Sequence, residues 1–157
     1  MQRTAIIGFG CAGFHAAKSM REHGYDGEIH IYSNTDAPPA NPMLTTYYVT
    51  GALAYEGMFP FGALDVLQEE YGLIIHRNEP VAALDSAQRK LTLRDGRTAF
   101  FDHVVLATGA SALVPPIPGV ERPGVFCMRT VEDAARLRER LDQGVRSAVV
   151  IGASMVG

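Results

Sequence analysis

The 157-residue sequence has no tryptophan, only two cysteines and no strong excess of either charge. Cys11 and Cys127 form neither a C-x-x-C pair nor a metal-ligand spacing, which favours a reducing, cytoplasmic setting over a disulfide framework. The net charge of -3 provides no broad basic surface for nucleic acid. We therefore expect neither a metal site nor nucleic acid as a partner.

Long hydrophobic runs are also missing. The apolar runs are only a few residues long, whereas a membrane-spanning helix needs about 20. Near the N-terminus, Arg3 and the apolar stretch after it could begin a signal peptide, but three glycines interrupt the stretch and His15 and Lys18 lie within it. We expect no membrane span.

The hydrophobic pattern predicts an α/β fold. A short apolar strand at 3–7, a helix at 11–23 and a strand at 28–33 make a β-α-β unit, in which the two strands should be parallel. Helical segments are predicted over 44–57 and 61–72, the second closed by its terminal glycine.

From residue 73 the pattern changes to short strands that alternate or run apolar. Asp95-Gly96 is the strongest hairpin signal in the sequence. An antiparallel β-meander is therefore predicted inside a parallel frame, followed by a strand at 103–109 that suits burial on both faces.

The C-terminal third begins with a proline-rich linker at 111–124. A helix is predicted over 130–141, because Thr130 precedes Asp133 by three residues and arginines lie toward its end. The apolar run at 146–152 is predicted to be the last strand.

The sequence GFGCAG matches the G-x-G-x-x-G fingerprint of a dinucleotide site, and it lies between a predicted strand and helix. Gly8 would allow a tight turn, Gly10 the approach of a pyrophosphate, and Gly13 close packing of helix on strand. Free amides at the start of the helix would hold the phosphates. The alternative is a glycine-rich turn in a ligand-free domain.

The acidic residue expected at the adenosine ribose, after the second strand, is missing. We favour Asn34, whose amide oxygen accepts a hydrogen bond without carrying charge. Alternatively, Asp36 reaches back to the ribose, or both side chains only cap the loop.

Four segments together resemble the FAD-dependent pyridine nucleotide-disulfide oxidoreductases, within them the ferredoxin and rubredoxin reductase branch. They are GFGCAG, DHVVLATGA, GVFCMRTVEDA and GASMVG, in the order and spacing of that superfamily. The resemblance covers the whole chain. It implies a Rossmann-like FAD/NAD(P)-binding fold, a parallel sheet with an inserted antiparallel β-meander, with FAD as cofactor and NAD(P)H as co-substrate.

The resemblance also implies positions for the cofactor contacts. The FAD pyrophosphate would lie at Gly8, Gly10, Cys11, Ala12 and Gly13, the ribose at Ser33 and Asn34, the adenine at the backbone of Val81, and further contacts at Ala107, Thr108, Gly109 and Arg129. A plain strand end at 107–109 and a solvated arginine are the alternatives. The second fingerprint, Gly152, Ser154 and Gly157, would open the NAD(P)H domain, with serine replacing its second glycine; a simple strand and turn is the alternative.

By the same resemblance, residues 1–112 are the N-terminal part of a split FAD domain. Residues 113–145 are linker and connecting helix, and 146–157 begin an NAD(P)H domain. We therefore expect the chain to be an N-terminal fragment that binds FAD weakly and does not turn over NAD(P)H.

Segment 41–46 bears on the branch. Disulfide-reducing members carry Cys-x4-Cys here, whereas the sequence reads NPMLTT, which argues against that route and against the single-cysteine peroxidase or water-forming oxidase routes. Ferredoxin reductases usually read Arg-Pro-x-x-Leu-Ser-Lys; this segment keeps the proline and leucine and loses both charges. No side chain is predicted to act as acid or base.

The expected function is hydride transfer from NAD(P)H to FAD and electron transfer on to a separate acceptor such as a small redox protein. The alternative is a non-catalytic dinucleotide-binding module or assembly subunit. The sequence is compatible with a homo-oligomer and leaves the choice of NADH or NADPH open. A redox switch at Cys11 is a further hypothesis. The five histidines show no ligand spacing or partner in the sequence, so metal and catalytic-triad chemistry have no support.

Overall fold

The computed structural model describes residues 1–152. The described chain divides into two compact units. The first comprises residues 1–40 and 59–109, and the second comprises 41–58 and the described residues from 110 on. Each unit is described separately below.

The strands are β1 Arg3–Ile7, β2 Glu28–Tyr32, β3 Leu73–His76, β4 Val81–Asp85, β5 Lys90–Leu93, β6 Thr98–Phe100 and β7 His103–Leu106. The α-helices are α1 Cys11–Glu22, α2 Thr45–Val49, α3 Leu64–Tyr71 and α4 Val131–Asp142. Two 3₁₀-helical turns occupy Pro42–Leu44 and Tyr55–Met58.

A parallel sheet forms the centre of the first unit, with strand order β3-β2-β1-β7. β1 runs parallel to β2 from the pair Arg3 and Glu28 to the pair Ile7 and Tyr32. This pairing confirms the predicted β-α-β unit. On its other side β1 pairs in parallel with β7.

Helices α1 and α3 cover one face of this sheet. Alternate strand residues such as Ile6 and Ile31 are fully buried there, together with Phe14 of α1 and Leu67 of α3. At about 25 cal/mol per Å² of apolar surface, each such side chain contributes roughly 1.5–3 kcal/mol. This layer fixes α1 against β1.

The β-meander covers the opposite face. Strands β4, β5 and β6 form the predicted antiparallel sheet, and Leu91, Leu93 and Phe101 are buried against β1 and β2. The predicted hairpin at Asp95-Gly96 joins β5 to β6, and Gly96 has a φ of +88°. The predicted architecture of a parallel sheet with an inserted meander is thus confirmed.

The helix predicted over 61–72 is shorter than expected. Gly62 has a φ of +109°, which is incompatible with a helix, and α3 therefore begins at Leu64. It ends as predicted at Gly72, which adopts the left-handed conformation with φ of +57°.

In the second unit, the helical segment predicted over 44–57 is interrupted. α2 ends at Val49, and Gly51, with a φ of +82°, reverses the chain before the turn at Tyr55–Met58. α2 packs against α4 within this unit, where the guanidinium of Arg138 donates to the carbonyl of Val49 at 3.3 Å.

α4 begins with the predicted capping box. The Thr130 hydroxyl accepts the Asp133 amide at 3.1 Å, and the Asp133 carboxylate accepts the Thr130 amide at 3.0 Å. Burial acts to raise the pKa of Asp133, but hydrogen bonds from Thr130 and Arg136 outweigh it and the pKa is lowered.

The strand predicted at 146–152 is wrong. These residues pair with no strand of the described chain, and Val149 is 90% exposed. An apolar run becomes a strand only where a neighbouring strand pairs with it, and the structure places none beside this segment in the described chain. Within residues 1–152, no helix is long and apolar enough to cross a membrane.

Candidate dinucleotide-binding site

Apart from Val81, the predicted site residues of the first unit gather at the carboxyl ends of three neighbouring strands. Gly8 follows β1, Ser33 follows β2, and Ala107 follows β7. From β1 the chain continues to β2 on one side of β1, whereas β7 pairs with the other side of β1. The strand order therefore reverses between β1 and β7. Ligands of open α/β sheets bind in the crevice at such a switch point.

Gly8 makes the turn out of β1. Its φ is +101°, a conformation that side chains rarely adopt, and its amide donates to the Tyr32 carbonyl at 2.8 Å. A Cβ atom here would collide with the carbonyl oxygen of Ala107. Both backbone geometry and packing therefore require glycine.

Gly13 is required for packing alone. A Cβ atom at this position would collide with the carbonyl oxygen of Gly8 and lie 3.4 Å from a side-chain methyl of Ile6. The absence of a side chain therefore lets α1 rest directly on β1, which fixes the start of the helix over the strand end.

Gly10 differs from both. Its φ of −84° is allowed for any residue, and a Cβ atom there would have no neighbour within 4 Å. Neither packing nor backbone strain accounts for this glycine within the described residues. The space beside Gly10 is open, and a phosphate contact there stays a prediction.

The start of α1 suits an anion. Gly10 is the N-cap and has no side chain to bind the first-turn amides, and the first turn holds no acidic residue. Cys11 and Ala12 are exposed there. The unpaired amides and the positive end of the helix dipole therefore fit a pyrophosphate.

The ribose loop, defined as residues 33–35, follows β2. Ser33 is buried, and its hydroxyl accepts the Thr35 amide at 3.2 Å. Asn34 and Asp36 are both exposed, and no hydrogen bond of the Asn34 side chain occurs within residues 1–152. Asn34 is thus available as an acceptor, whereas Ser33 mainly holds the loop; the ribose contact itself stays a prediction.

Val81, predicted at the adenine, is the first residue of β4. It pairs with Leu93, and the register shifts between Val81 and Ala83. The side chain of Val81 packs partly against the meander core. The adenine contact of its backbone stays a prediction.

Segment 107–109 lies beside the fingerprint. The amide of Ala107 donates to the Ile7 carbonyl at 2.8 Å, which extends the β1–β7 pairing by one residue. Thr108 and Gly109 are exposed, and Gly109 turns the chain with a φ of +68°. Their place next to Gly8 agrees with a role at the cofactor.

The remaining predicted residues belong to the second unit. Arg129 is exposed, and its guanidinium donates to the carbonyl of Ala110 at 3.2 Å. Gly152 is exposed with a φ of +111°. Ser154 and Gly157 lie outside the described residues. The roles of these four residues stay predictions.

Sequence comparison decides the family. The family model described as pyridine nucleotide-disulphide oxidoreductase matches residues 2–157. The chain belongs to this family.

Members similar to this chain include two named reductases. Rubredoxin-NAD(+) reductase of Ectopseudomonas oleovorans is 33% identical over 153 residues, which cover 97% of this chain and 39% of that protein. Rhodocoxin reductase of Rhodococcus erythropolis is 34% identical over 155 residues, which cover 97% of this chain and 35% of that protein. The chain therefore spans well under half the length of these relatives.

The fold of this family member agrees with a solved structure. The NAD-dependent persulfide reductase from A. fulgidus superposes with a TM-score of 0.90 and 25% identity, covering 99% of this chain and 30% of that chain. The family uses FAD as cofactor and NAD(P)H as co-substrate. The open space at Gly10 and the uncapped start of α1 fit the pyrophosphate that both dinucleotides carry.

Segment 41–46 of this family member is held by its own hydrogen bonds. The Asn41 side chain accepts the Met43 amide at 3.0 Å, and the buried Thr45 hydroxyl donates to the Pro42 carbonyl at 2.7 Å. Thr46 is exposed. The segment thus contributes neither a thiol nor a charge.

His30 and His76 contact each other, which the sequence did not indicate. Nδ1 of His30 lies 3.1 Å from Nε2 of His76, and the rings stack with centroids 5.4 Å apart. His30 is buried on the face that the meander covers. The two residues are 46 positions apart, so only the parallel pairing of β2 with β3 brings them together. Within residues 1–152, no group of three or more metal-ligating side chains is arranged to hold an ion.

Proposed function

We propose that this chain is part of an FAD-dependent NAD(P)H oxidoreductase that passes electrons from NAD(P)H through FAD to a separate acceptor. The proposal rests on the family and on one observation of the structure. Gly10, at the uncapped start of α1, leaves an open space that neither packing nor backbone geometry explains.

In this proposal, the residues of the first unit hold FAD. The amides of Cys11 and Ala12 would donate to the pyrophosphate, and the amide oxygen of Asn34 would accept a ribose hydroxyl. Gly8 and Gly13 act indirectly, since they let the start of α1 settle on the end of β1.

The chemistry belongs to the cofactor. When bound, the isoalloxazine of FAD supplies two-electron chemistry with the nicotinamide and onward electron transfer. The chain contributes binding, orientation and electrostatics. Segment 41–46 has no cysteine, which supports an acceptor other than a disulfide on this segment.

A small redox protein in the cytoplasm is the acceptor that we favour. Support comes from the names of the two relatives, rubredoxin-NAD(+) reductase and rhodocoxin reductase, at 33% and 34% identity. This chain matches only part of each relative, so the acceptor is a proposal for the whole protein.

Anaerobic mixing of the complete protein to which this chain is proposed to belong with FAD and either NADH or NADPH tests the proposal. We expect loss of the oxidised-flavin absorbance at about 450 nm. Absorbance that stays unchanged with both nicotinamides, while FAD remains bound, would overturn the reductase function.

That second outcome would support the alternative, a non-catalytic dinucleotide-binding module or assembly subunit. The neutral Asn34 at the expected acidic position and the absence of a charge from segment 41–46 favour this alternative. Failure of FAD to bind at all would overturn both functions, since both place a dinucleotide at Gly10.

A further inference from the structure

The histidine pair of the first unit, in which His30 is buried and His76 half-buried, lies directly beneath the ribose loop. Tyr32 and His76 are partners in the β2–β3 register, and their rings stack with centroids 4.3 Å apart. The carbonyl of His76 accepts the Ser33 amide at 3.0 Å. His30 lies on the same face of the sheet, next to His76.

Hydrogen bonding fixes the protonation of the neutral pair. The carboxylate of Glu28 lies 3.1 Å from Nε2 of His30, so this nitrogen carries a proton and donates it. Nδ1 of a neutral His30 then accepts, and the hydrogen bond to His76 requires a proton on Nε2 of His76. The hydrogen bond from His30 lowers the pKa of Glu28, which agrees with this direction.

Nδ1 of His76 is the last atom of this series of hydrogen bonds and can take up a proton. Nδ1 of His76, which carries no proton in the neutral pair, is 3.8 Å from a carboxylate oxygen of Glu79. That same oxygen lies 3.1 Å from the guanidinium of Arg97. A proton added to Nδ1 of His76 would therefore draw the Glu79 carboxylate away from Arg97.

Glu79 also holds the ribose loop. Its amide donates to the Ser33 carbonyl at 2.8 Å, and the neighbouring Asn78 amide lies 3.4 Å from the Thr35 carbonyl. A shift of residue 79 thus reaches the two peptide units that flank Asn34.

We propose that His30 and His76 are positioning residues that make binding at the adenosine end depend on protonation. The neutral pair holds the loop at residues 33–35 in its binding geometry, and uptake of one proton at His76 releases it. This inference rests on the proposed placement of the FAD ribose at Asn34.

The surroundings of His76 favour its neutral form. Burial lowers the pKa of His76, and positive charge on His30, Arg97 and Arg3 lowers it further, whereas the Glu79 carboxylate opposes them. Tyr32 stays neutral, because burial and the nearby Glu79 charge raise its pKa. Since ligand binding requires the loop geometry that the neutral pair holds, the affinity is highest above the pKa of His76. It falls as the pH drops through that pKa.

Calorimetric titration of the chain with FAD at about pH 7.5 and about pH 5.5 tests the inference. We expect the Kd of the wild type to rise about fivefold at the lower pH. His76→Gln keeps a donor for His30 but cannot be protonated, so its Kd should change less than about twofold. His103→Gln, a change at an exposed histidine of β7, is the matched control and should behave as the wild type does.

Equal pH dependence in the wild type and in His76→Gln would overturn the inference, because proton binding by FAD itself is common to both. Glu79→Gln provides a second variant, and its pH dependence should also be reduced.

Imidazole NMR of the ligand-free chain separates this inference from the proposed function. His30 and His76 should both show a proton on Nε2 at neutral pH, and protonation of His76 should change the chemical shifts of both rings. Shifts of the His30 ring that do not follow the protonation of His76 would overturn the pair even if FAD binds. Absence of FAD binding at either pH, with the shifts of the two rings coupled, would instead count against the proposed function.

Discussion

The three glycines of the fingerprint differ in the constraints that the backbone and the packing impose on them. Gly8 combines a φ of +101° with a close approach to Ala107, and Gly13 has only a close approach to Gly8. Gly10 has neither constraint. At the scale of single residues, the structure accounts for Gly8 and Gly13, whereas only the proposed ligand accounts for Gly10.

This division predicts the effects of single alanine substitutions. Gly8→Ala and Gly13→Ala should each lower the free energy of unfolding by about 2 kcal/mol or more, because the added Cβ atom meets backbone atoms that cannot easily move. Gly10→Ala, the matched control, should cost less than about 1 kcal/mol. Urea unfolding followed by circular dichroism measures all three, and similar losses at the three positions would contradict the division.

The sequence predicts these glycine roles because the motif is local and its spacing determines its geometry. The histidine pair could not be predicted in the same way. His30 and His76 meet only through the β2–β3 register, and their contact adds no periodicity to either strand. A signal was present in the placement of His30 and Tyr32 on one face of β2, opposite the helix-facing Ile31.

At the scale of whole elements, local signals again account for the successful predictions. The capping box at Thr130 and Asp133 marks the start of α4, and Gly72 marks the end of α3. The run at 146–152 carries no such signal. Its pattern suits a strand, but pairing depends on a neighbour, and the described chain provides none.

The capping box yields a prediction for α4. Thr130→Ala should lower the stability of the helix start by about 1 kcal/mol, since it removes the acceptor of the Asp133 amide. Thr130→Ser keeps the hydroxyl and should lose much less. Hydrogen exchange at the first-turn amides measures the difference, and equal exchange in the two variants would show that the box does not stabilise α4.

At the scale of the whole molecule, the chain matches its family along nearly its entire length but spans only 35% to 39% of the two relatives. The parallel sheet, the helices on one face and the meander on the other explain why the carboxyl ends of β1, β2 and β7 meet. The same arrangement places the histidine pair beneath the ribose loop. The proposed FAD site and the proposed control by protonation thus lie on the same sheet.

The affinity for FAD of variants at Gly10 tests most directly whether the pyrophosphate binds at the start of α1. Aspartate and asparagine are both good N-caps, so Gly10→Asp and Gly10→Asn should unfold at urea concentrations close to that of the wild type. Both side chains would occupy the open space, and only aspartate would also repel a pyrophosphate.

Calorimetry with FAD should show a Kd at least about 30-fold higher for Gly10→Asp than for the wild type. Gly10→Asn should lie between the two. Equal affinities of the wild type and Gly10→Asp for FAD would contradict the placement of the pyrophosphate at the start of α1.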